Sequence, residues 1–495
     1  MENAYAFLTG ILVILCFLSF RKSKLSHIPT LGYSTPLLSY ITAYQFHSRS
    51  REMIEQGYRK YPNKVWKLAT LHGWFVVANG THHVEEMNKA SGKELSAILN
   101  FQSYLQLDFT LGPAVTTNPY HINVVRSPMT RNIGPQFEDM HEEAVDAFKD
   151  IIGPAHGEWT AVPIFASIAE VVSRINARLA VGFPLCRDAA FRQLMGSSSK
   201  VLLRGRQLRF FPRFLRPIAA KLIVDSGADL SAMASQLEPV VKQRLDMERL
   251  HGFDWPGKPN DTLMWMMDEA QKAGEKVTAY GMATRLYFLT FASDGIAMML
   301  SCALYELTTR PEYIQPLRDE VEEMLSQDGW TKEGISKLHR MDSFFKEIHR
   351  CYDLTILHLG RRVVKNFVFA DGTLIPAGSD LFSNAYGMHF DEELYPSSHS
   401  FNGFRFVQED STKQLQLIKP GLDYVPFGYG KHACPGRFTA AYQMKTMLAY
   451  LIVTYDMKTD KELHPLSRFL ERGFSVNMQA TVHFQKRRND GLKLS

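Results

Sequence analysis

Apolar positions recur along most of this chain at the spacing of amphipathic helices. Residues 137–152 (FEDMHEEAVDAFKDII) and 437–455 (RFTAAYQMKTMLAYLIVTY) place them three and four residues apart, which predicts two helices. Residues 277–309 extend the pattern over about 33 positions, or about 50 Å of helix, until Pro311 ends it. We expect a helix so long and so apolar to cross the middle of a domain.

Two stretches carry strand signals instead. Residues 64–78 (KVWKLATLHGWFVVA) place strand-forming residues on both sides of a His-Gly turn and predict a β-hairpin. Residues 371–382 (DGTLIPAGSDLF) predict a second short strand region that begins with an Asp-Gly turn. The sequence shows no internal repeat and no low-complexity tract. We therefore expect residues 37–495 to form one large, mainly α-helical domain with small β hairpins.

The amino-terminal segment is apolar enough to cross a bilayer. Residues 3–20 (NAYAFLTGILVILCFLSF) carry no charge in eighteen positions, and as a helix they would span about 27 Å. The basic RKSK that follows predicts that the body lies on the cytosolic side. We interpret residues 1–24 as a transmembrane anchor with a basic stop, and residues 25–36 as a proline- and glycine-containing hinge. A cleaved signal peptide is the alternative, although no basic residues precede the apolar run.

A second stretch combines basic and aromatic residues. Residues 203–222 (LRGRQLRFFPRFLRPIAAKL) contain five arginines and one lysine among several large apolar side chains. Such a segment can lie at a bilayer surface, and we favour a second membrane contact here. A basic, partly buried pair of helices is the alternative.

Composition narrows the classes of protein that the chain can belong to. Apolar residues make up 45% and charged residues 22% of the 495 positions, which is ordinary for a globular protein. The net charge of +5 comes without a long basic run, so we expect no nucleic-acid partner. The five cysteines are odd in number and include no C-x-x-C pair, which argues against a disulfide framework and against a zinc knuckle.

One cysteine lies in an unusually pliable stretch, FGYGKHACPG at residues 427–436. A thiolate is a strong soft ligand for iron, and to hold it the backbone must aim N–H groups at the sulfur and approach a flat cofactor closely. Three glycines in the stretch permit both. A helix that begins behind Cys434 would also turn its positive dipole end to the thiolate. A buried structural cysteine beside a glycine-rich turn is the alternative.

The pattern F-x-x-G-x-x-x-C-x-G is far more specific than a lone cysteine, and Phe427, Gly430, Cys434 and Gly436 satisfy it. It resembles the haem-thiolate signature of the cytochromes P450, in which the cysteine binds the iron. The resemblance implies the cytochrome P450 fold, with one large catalytic domain behind the amino-terminal anchor.

Two further motifs stand in that family's order, and the long apolar helix precedes them. The family's E-x-x-R motif is present as EIHR, with Glu347 and Arg350 at positions i and i+3 of one helix. The segment FNGFRF at residues 401–406 supplies Arg405 as a third partner. The resemblance implies that these three residues form a charged structural lock near the cofactor.

The cofactor implied by the resemblance is haem b, with iron bound to Cys434. His432 replaces the family's usual arginine two residues before the cysteine, and the usual aromatic residue one turn before Arg126 is absent because Ile122 stands there. Two buried propionates need basic partners. The residues expected to contact the haem are Cys434, His432, Phe427, Gly428, either Arg361 or Arg362, and either Arg126 or Arg131.

The resemblance also implies activation of dioxygen with protons from an acid–alcohol pair in the central helix. The family's pattern there is like A-G-x-D-T, whereas residues 291–297 read FASDGIA. Gly295 therefore stands at the acid position and Ile296 at the alcohol position, so both functional side chains are missing.

Two interpretations of the proton supply follow. Asp294 can take the acid role if the helix bulges locally, with Ser293 or Thr290 as the alcohol. Otherwise water or a substrate hydroxyl relays the protons, and we slightly favour this second route. Because glycine lacks a Cβ atom, we expect Gly295 to leave room for oxygen and substrate.

Substrate contacts are implied only by position in the family's substrate loops, at residues 101–115, 354–360 and 473–478. These stretches are mostly apolar, which suits a lipophilic small molecule. Similarity to fungal microsomal members of secondary metabolism points to a terpenoid. The residues expected to line the pocket are Phe101, Leu105, Phe109, Ile356, Leu357 and Phe474.

The resemblance further implies a single-pass protein of the endoplasmic reticulum membrane, with its catalytic domain facing the cytosol and electrons supplied by an NADPH-dependent cytochrome reductase. Basic residues on the thiolate side suit an acidic reductase; those expected there are Lys431, Arg437, Lys445, Arg126 and Arg131. The alternatives are a haem-thiolate desaturase, isomerase or dehydratase with atypical proton delivery, and a non-enzymatic haem-binding sensor.

Overall fold

The structure is a computed structural model that describes residues 24–153, 157–409, 415–459, 466–470 and 473–487. The anchor predicted at residues 3–20 lies outside the described residues. The α-helices are α1 Pro36–Lys60, α2 Thr81–Lys89, α3 Ala97–Leu105, α4 Leu107–Thr110, α5 Ala114–Thr117, α6 Tyr120–Val124, α7 Phe137–Ile152, α8 Ile164–Val181, α9 Ala189–Arg204, α10 Arg216–Ile223, α11 Ser226–His251, α12 Thr262–Lys272, α13 Ala279–Thr290, α14 Ser293–Thr309, α15 Ile314–Asp328, α16 Lys332–Ser336, α17 His339–Cys351, α18 Ala385–His389 and α19 Arg437–Thr454.

The strands are short, and most of them gather into one sheet. They are β1 Thr30–Leu31, β2 Val65–Thr70, β3 Gly73–Ala78, β4 Leu95–Ser96, β5 Thr160–Pro163, β6 His358–Val363, β7 Phe367–Val368, β8 Leu374–Ile375, β9 Asp380–Ser383, β10 Tyr455–Lys458, β11 Leu466–Leu470, β12 Gly473–Val476 and β13 Thr481–Lys486. The large sheet has six strands in the order β1-β2-β3-β9-β6-β4. A three-stranded sheet has the order β10-β13-β5, and two-stranded sheets pair β11 with β12 and β7 with β8.

The mainly helical character and the first hairpin are confirmed, but the β structure is more extensive than small hairpins. Strands β2 and β3 pair antiparallel from Val65↔Ala78 to Thr70↔Gly73. Strand β3 then pairs in parallel with β9, which places Phe75 beside Asp380. Parallel pairing joins segments that are far apart in sequence, so local alternation could not predict it. Residues 371–382 accordingly contribute to two sheets, through β8 and β9.

The helix predicted at residues 277–309 is present but interrupted. It consists of α13 and α14, separated at Phe291 and Ala292. The amides of these two residues bond to carbonyls three positions back, Phe288 O at 3.3 Å and Leu289 O at 3.4 Å, instead of four positions back. Apolar periodicity continues through the interruption, so the sequence pattern did not reveal it.

The central helix is a core element. Of the described residues, Ala279–Thr309 has the length and composition to cross a membrane, but half of its apolar window is buried within the fold. Helix α14 packs against α8, α17 and α19. Its residues 299–307 are buried, and the largest hydrophobic cluster includes Leu300, Ala303 and Leu304.

The segment expected to act as a hinge is tied to the sheet. Strand β1 pairs in parallel with β2, and Lys67 N donates a hydrogen bond to Pro29 O at 2.8 Å. Leu25 and Ile28 are buried, and the ring of His27 bonds Leu374 O at 2.7 Å. Residues 25–31 are therefore part of the body, and Pro36 begins α1.

Candidate functional site

The cysteine loop has the conformation that its glycines predict. Gly428 and Gly430 adopt positive φ angles of 74° and 60°. A Cβ atom on Gly430 would lie 2.1 Å from Asn88 Oδ1, so any other residue there would have to displace the Asn88 side chain. Cys434 N donates to Phe427 O at 2.6 Å, which closes the loop just before α19. The loop thus presents one thiol at the amino-terminal end of an 18-residue helix.

The thiol of Cys434 receives two backbone donors. Burial raises the pKa of Cys434 above its ordinary value. The N–H groups of Gly436 and Arg437, together with the positive charge of Arg437, act in the opposite direction. These groups would stabilise a thiolate once a cation stands opposite the sulfur.

The predicted lock residues come together behind this loop. Arg350 donates two hydrogen bonds to the carboxylate of Glu347, at 2.8 and 2.7 Å, and both side chains are fully buried. Arg405 Nε donates to Glu347 Oε2 at 3.1 Å. One carboxylate therefore binds two guanidinium groups, one from its own helix and one from a residue 58 positions later in the sequence.

The lock also fixes the segments that precede the cysteine loop. Arg350 Nη1 donates to the carbonyls of His389 and Ser398, both at 2.7 Å. Helix α17 reaches the loop directly as well, because the ring of His349 lies 5.0 Å from the ring of Phe427. Sequence reasoning missed His349, since a histidine inside E-I-H-R carries no separate signal.

The structure separates the two candidate arginines of β6. Arg361 is 3% exposed, its Nε and Nη2 have no partner among the described residues, and burial lowers its pKa to about 10. Arg362 bonds Asp380 at 3.1 Å and is partly exposed. Neighbouring side chains on a strand point to opposite faces, so only one of the two can face the interior.

His432 lies close to Arg361. Burial lowers the pKa of His432 to about 4, and the positive charges of Arg361, Lys431 and Arg126 act in the same direction. The Nε2 atom of His432 is buried without a partner. Arg126, at the surface, donates from Nη2 to Lys431 O at 3.4 Å, whereas Arg131 is exposed further along the chain.

These residues fit an acidic, iron-containing cofactor. Arg361 and His432 present buried nitrogen atoms without acceptors beside a cationic Arg126, and Cys434 presents a soft ligand. Buried cations without counter-charge are costly, so two carboxylates and a metal cation would complete this group of side chains. A haem carries both.

The three candidate catalytic residues of the central helix face different neighbours. Ser293 Oγ accepts from Asn176 Nδ2 at 2.8 Å, and Asn176 in turn accepts from Gln443. Asp294 is partly buried and takes a hydrogen bond from Ser199 on α9; burial raises the pKa of its carboxyl, and Ser199 opposes that rise.

Gly295 does not open free space. A Cβ atom at this position would lie 3.0 Å from Leu354 Cδ1, so the room that the missing side chain creates is filled by Leu354. Leu354 thus stands against Gly295, and the expectation that this glycine leaves room for oxygen and substrate stays a prediction. Leu354 itself was missed, because it lies among apolar residues with no distinguishing pattern.

A run of serines on α9 holds the interrupted helix. Ser199 Oγ donates to Phe291 O at 3.3 Å, at the interruption itself. Thr290 Oγ1 donates to Ser198 Oγ at 3.0 Å. The broken backbone is thus compensated by side chains of a neighbouring helix, and Asp294 lies next to this contact.

The predicted substrate residues fall into two environments. Phe101 makes edge contacts with Phe288 at 5.9 Å and Phe291 at 6.0 Å, beside the helix interruption. Phe474 N donates to Leu354 O at 3.0 Å, close to Gly295. The other four pack into hydrophobic clusters of the core, and they are Leu105, Phe109, Ile356 and Leu357.

The domain is mainly helical and presents one cysteine from a glycine-rich loop. The Glu–Arg–Arg lock lies behind this loop, and buried basic groups lie beside it. This is the architecture of the haem-thiolate proteins. The Cytochrome P450 family model matches residues 29–481. The chain belongs to the cytochrome P450 family.

The curated relatives are similar over nearly their whole length. Cytochrome P450 monooxygenase 151 of Postia placenta is 34% identical, with 92% of this chain and 93% of the relative covered. Cytochrome P450 monooxygenase CYP512U6 of Ganoderma lucidum is 31% identical, with 92% and 91% covered. A solved structure of retinoic acid bound cyanobacterial CYP120A1 matches with a TM-score of 0.70 and 16% identity, covering 93% of this chain and 99% of that one. This last likeness supports the fold alone.

Proposed function

We propose that this chain is a haem b-dependent monooxygenase that uses electrons from an NADPH-dependent reductase and dioxygen to oxidise a lipophilic small molecule, of which a terpenoid is the first candidate. The observation that carries the proposal is the cysteine loop, in which Cys434 stands at the start of α19 with two N–H groups on its sulfur. When bound, haem supplies the reductive activation of dioxygen.

The chain's own residues would hold the cofactor at its iron and at its propionates. Cys434 would be the iron ligand, while Arg361, His432 and Arg126 would receive the propionates. Arg362 is less suited because it already bonds Asp380, and Arg126 is preferred to Arg131 because Arg126 bonds Lys431 O in the cysteine loop. Haem transfer to apomyoglobin tests the assignment: Arg361→Met should release haem much faster than Arg362→Met, and equal rates would contradict it.

Asp294 is the proposed proton carrier. A raised pKa means that its carboxyl keeps a proton to higher pH than an exposed aspartate, and loses it as the pH rises through that pKa. Asp294 can thus hold a proton beside the helix interruption and regain one from the side of Lys200, which is exposed. Water or a substrate hydroxyl remains the competing route.

We expect Asp294→Asn to lower turnover roughly a hundredfold and to flatten the decline of turnover as the pH rises through the raised pKa of Asp294, because the titrating donor is gone. The rate of product formation per haem-loaded chain, measured against pH, gives both quantities. Asp268→Asn is the matched control, since burial also raises the pKa of that carboxyl. Asp268 lies on α12 and pairs with Lys258 at 3.0 Å. Unchanged turnover in Asp294→Asn would favour the competing route.

We also propose that the stretch at residues 210–222 contacts the endoplasmic reticulum membrane. Phe214, Ile218 and Leu222 are 78%, 62% and 80% exposed, which is unusual for large apolar side chains on one segment. With an anchor ahead of residue 24, this contact would orient the body on the cytosolic face. A tryptophan placed at position 214 should be quenched by bilayer-borne quenchers; full exposure to aqueous quenchers would oppose the contact.

For the reductase, the proposed docking surface lies around the cysteine loop and includes Lys431, Arg437, Arg126 and Arg131. Lys445 does not belong to it, because it is buried and bonds Asp342 at 3.1 Å. Charge reversal at Arg131 should slow reduction in a salt-dependent way. Reduction rates that do not respond to this change would remove Arg131 from the surface.

The function itself is tested by expression with a reductase in a host fed candidate terpenoids. Products that gain one oxygen, only when NADPH and reductase are present, are the expected result. Loss of two hydrogens would identify a desaturase. Products formed without NADPH would identify an isomerase or dehydratase, and a haem-loaded chain with no product from any substrate class would favour a sensor.

A further inference from the structure

A buried arginine in the central helix has no acidic partner among the residues that the structure describes. Arg285 on α13 is 3% exposed, and its guanidinium lies 4.0 Å from the ring centroid of Tyr120. Its Nη atoms reach the carbonyls of Asn118, Ala114 and Gly281 only at 3.3–3.5 Å. Its Nε has no partner.

The described residues place no carboxylate within the 4.0 Å of an ion pair with Arg285. Glu275 lies on the same side of the fold, but it accepts a hydrogen bond from Asn118 Nδ2 at 2.7 Å. A buried cation left without counter-charge is strongly unfavourable. Long contacts to carbonyl groups and one aromatic face offset only part of that cost.

A second buried polar group stands beside the arginine. His121 on α6 is 1% exposed, and its Nδ1 atom has no partner. Its ring meets the edge of Phe288 at 5.2 Å, one turn along the helix from Arg285. Burial lowers the pKa of His121 to about 4, and the charge of Arg285 acts in the same direction. His121 therefore offers a hydrogen bond at neutral pH without a second positive charge.

Apolar surface continues from this pair toward the reacting end of the helix. Phe288 and Phe291 both contact Phe101, so they face the same side as His121. At 1.5 Å per residue, Arg285 lies about 9 Å from Phe291 and about 15 Å from Gly295 along the helix. A cation and a neutral donor thus stand at one end of an aromatic surface, and the helix interruption stands at the other.

We infer that Arg285 and His121 bind the carboxylate of a lipophilic acid substrate, whose apolar body lies along Phe288, Phe101 and Phe291. The carboxylate supplies the missing counter-charge to Arg285 and an acceptor for the donors that lack one. The inference rests on the proposed function and narrows its substrate class to acids oxidised about 10–15 Å from their carboxyl group. A haem propionate is the other source of the same chemistry, and the experiment separates the two.

The test measures binding to the haem-loaded full chain by the shift in haem absorption. The probes are hexadecanoic acid, abietic acid and ursolic acid, each beside its methyl ester. At least one acid should bind about tenfold or more tightly than its ester, as expected for a hydrogen bond to a charged group. Arg285→Met should abolish this preference, and Arg285→Lys should restore part of it. Lys276→Met, which removes an exposed charge before the same helix, should leave it unchanged.

His121→Phe is the second variant and serves if Arg285→Met fails to fold, because a phenylalanine ring keeps the contact with Phe288. It should reduce the preference for acids. Equal binding of every acid and its ester, or a preference that survives in both variants, overturns the inference. Faster haem loss in both variants, together with no selectivity for acids in the native chain, also overturns it, because the two residues would then bind a haem propionate. Absence of the thiolate-haem absorption in the native chain would instead refute the proposed function.

Discussion

Cys434→Ser is expected to abolish the reduced carbon-monoxide absorption that is typical of thiolate-bound haem, together with all oxygenation. A serine hydroxyl remains protonated at neutral pH and is a poor ligand for iron, whereas the loop is built to stabilise a thiolate through Gly436 and Arg437. The absorption spectrum of the reduced, carbon-monoxide-treated protein after ample haem supply measures the effect directly.

Cys351→Ser is the control for this substitution. Cys351 is also a free cysteine of the described chain, but its sulfur lies against Arg350 in the lock and not in the loop. The fraction of Cys351→Ser protein that folds should keep the absorption of thiolate-bound haem. If the Cys434 variant retained that absorption, the sulfur at 434 would not be the iron ligand and the monooxygenase proposal would fall.

Arg350→Ala is expected to yield apoprotein or aggregate. Removing one partner of a buried ion pair leaves the other charge uncompensated and costs ~3–5 kcal/mol. Here the loss also frees the carbonyls of His389 and Ser398, which otherwise receive hydrogen bonds at 2.7 Å. Haem content per chain and the midpoint of thermal unfolding are the measurements.

Arg340→Ala on the same helix is the matched control. Its guanidinium bonds Pro316 O at 3.2 Å at the surface, where such contacts contribute little. We expect that variant to load haem normally and to unfold close to the native temperature. Normal haem loading and stability of Arg350→Ala would show that the lock is dispensable.

The parts of the site that are local in sequence could be predicted from it. The loop around Cys434 depends on residues within ten positions, and its glycines, proline and following helix all favour the same conformation. The spacing of Glu347 and Arg350 likewise fixes them on one helical face. Arg405 required the family resemblance, because no local rule brings residue 405 to residue 347.

The features of the site that the sequence left undecided depend on side-chain orientation and on contacts between distant segments. Alternation along β6 says that Arg361 and Arg362 point to opposite faces, but only the pairing of Arg362 with Asp380 decides which. The sequence suggests open space at Gly295, but in the fold Leu354 from a distant part of the chain lies against it. Lys445 reads as a surface charge until Asp342 is found beside it in the core. Each answer needs the tertiary fold.

The lock has a consequence for biosynthesis. Glu347 cannot meet Arg405 until the chain has grown by a further 58 residues, and Cys434 follows later still. Every side chain and carbonyl that the lock and the loop need lies between residues 347 and 437. A ribosome must therefore extend the chain past residue 437 before a competent binding site for iron exists, and cofactor capture follows the synthesis of this segment.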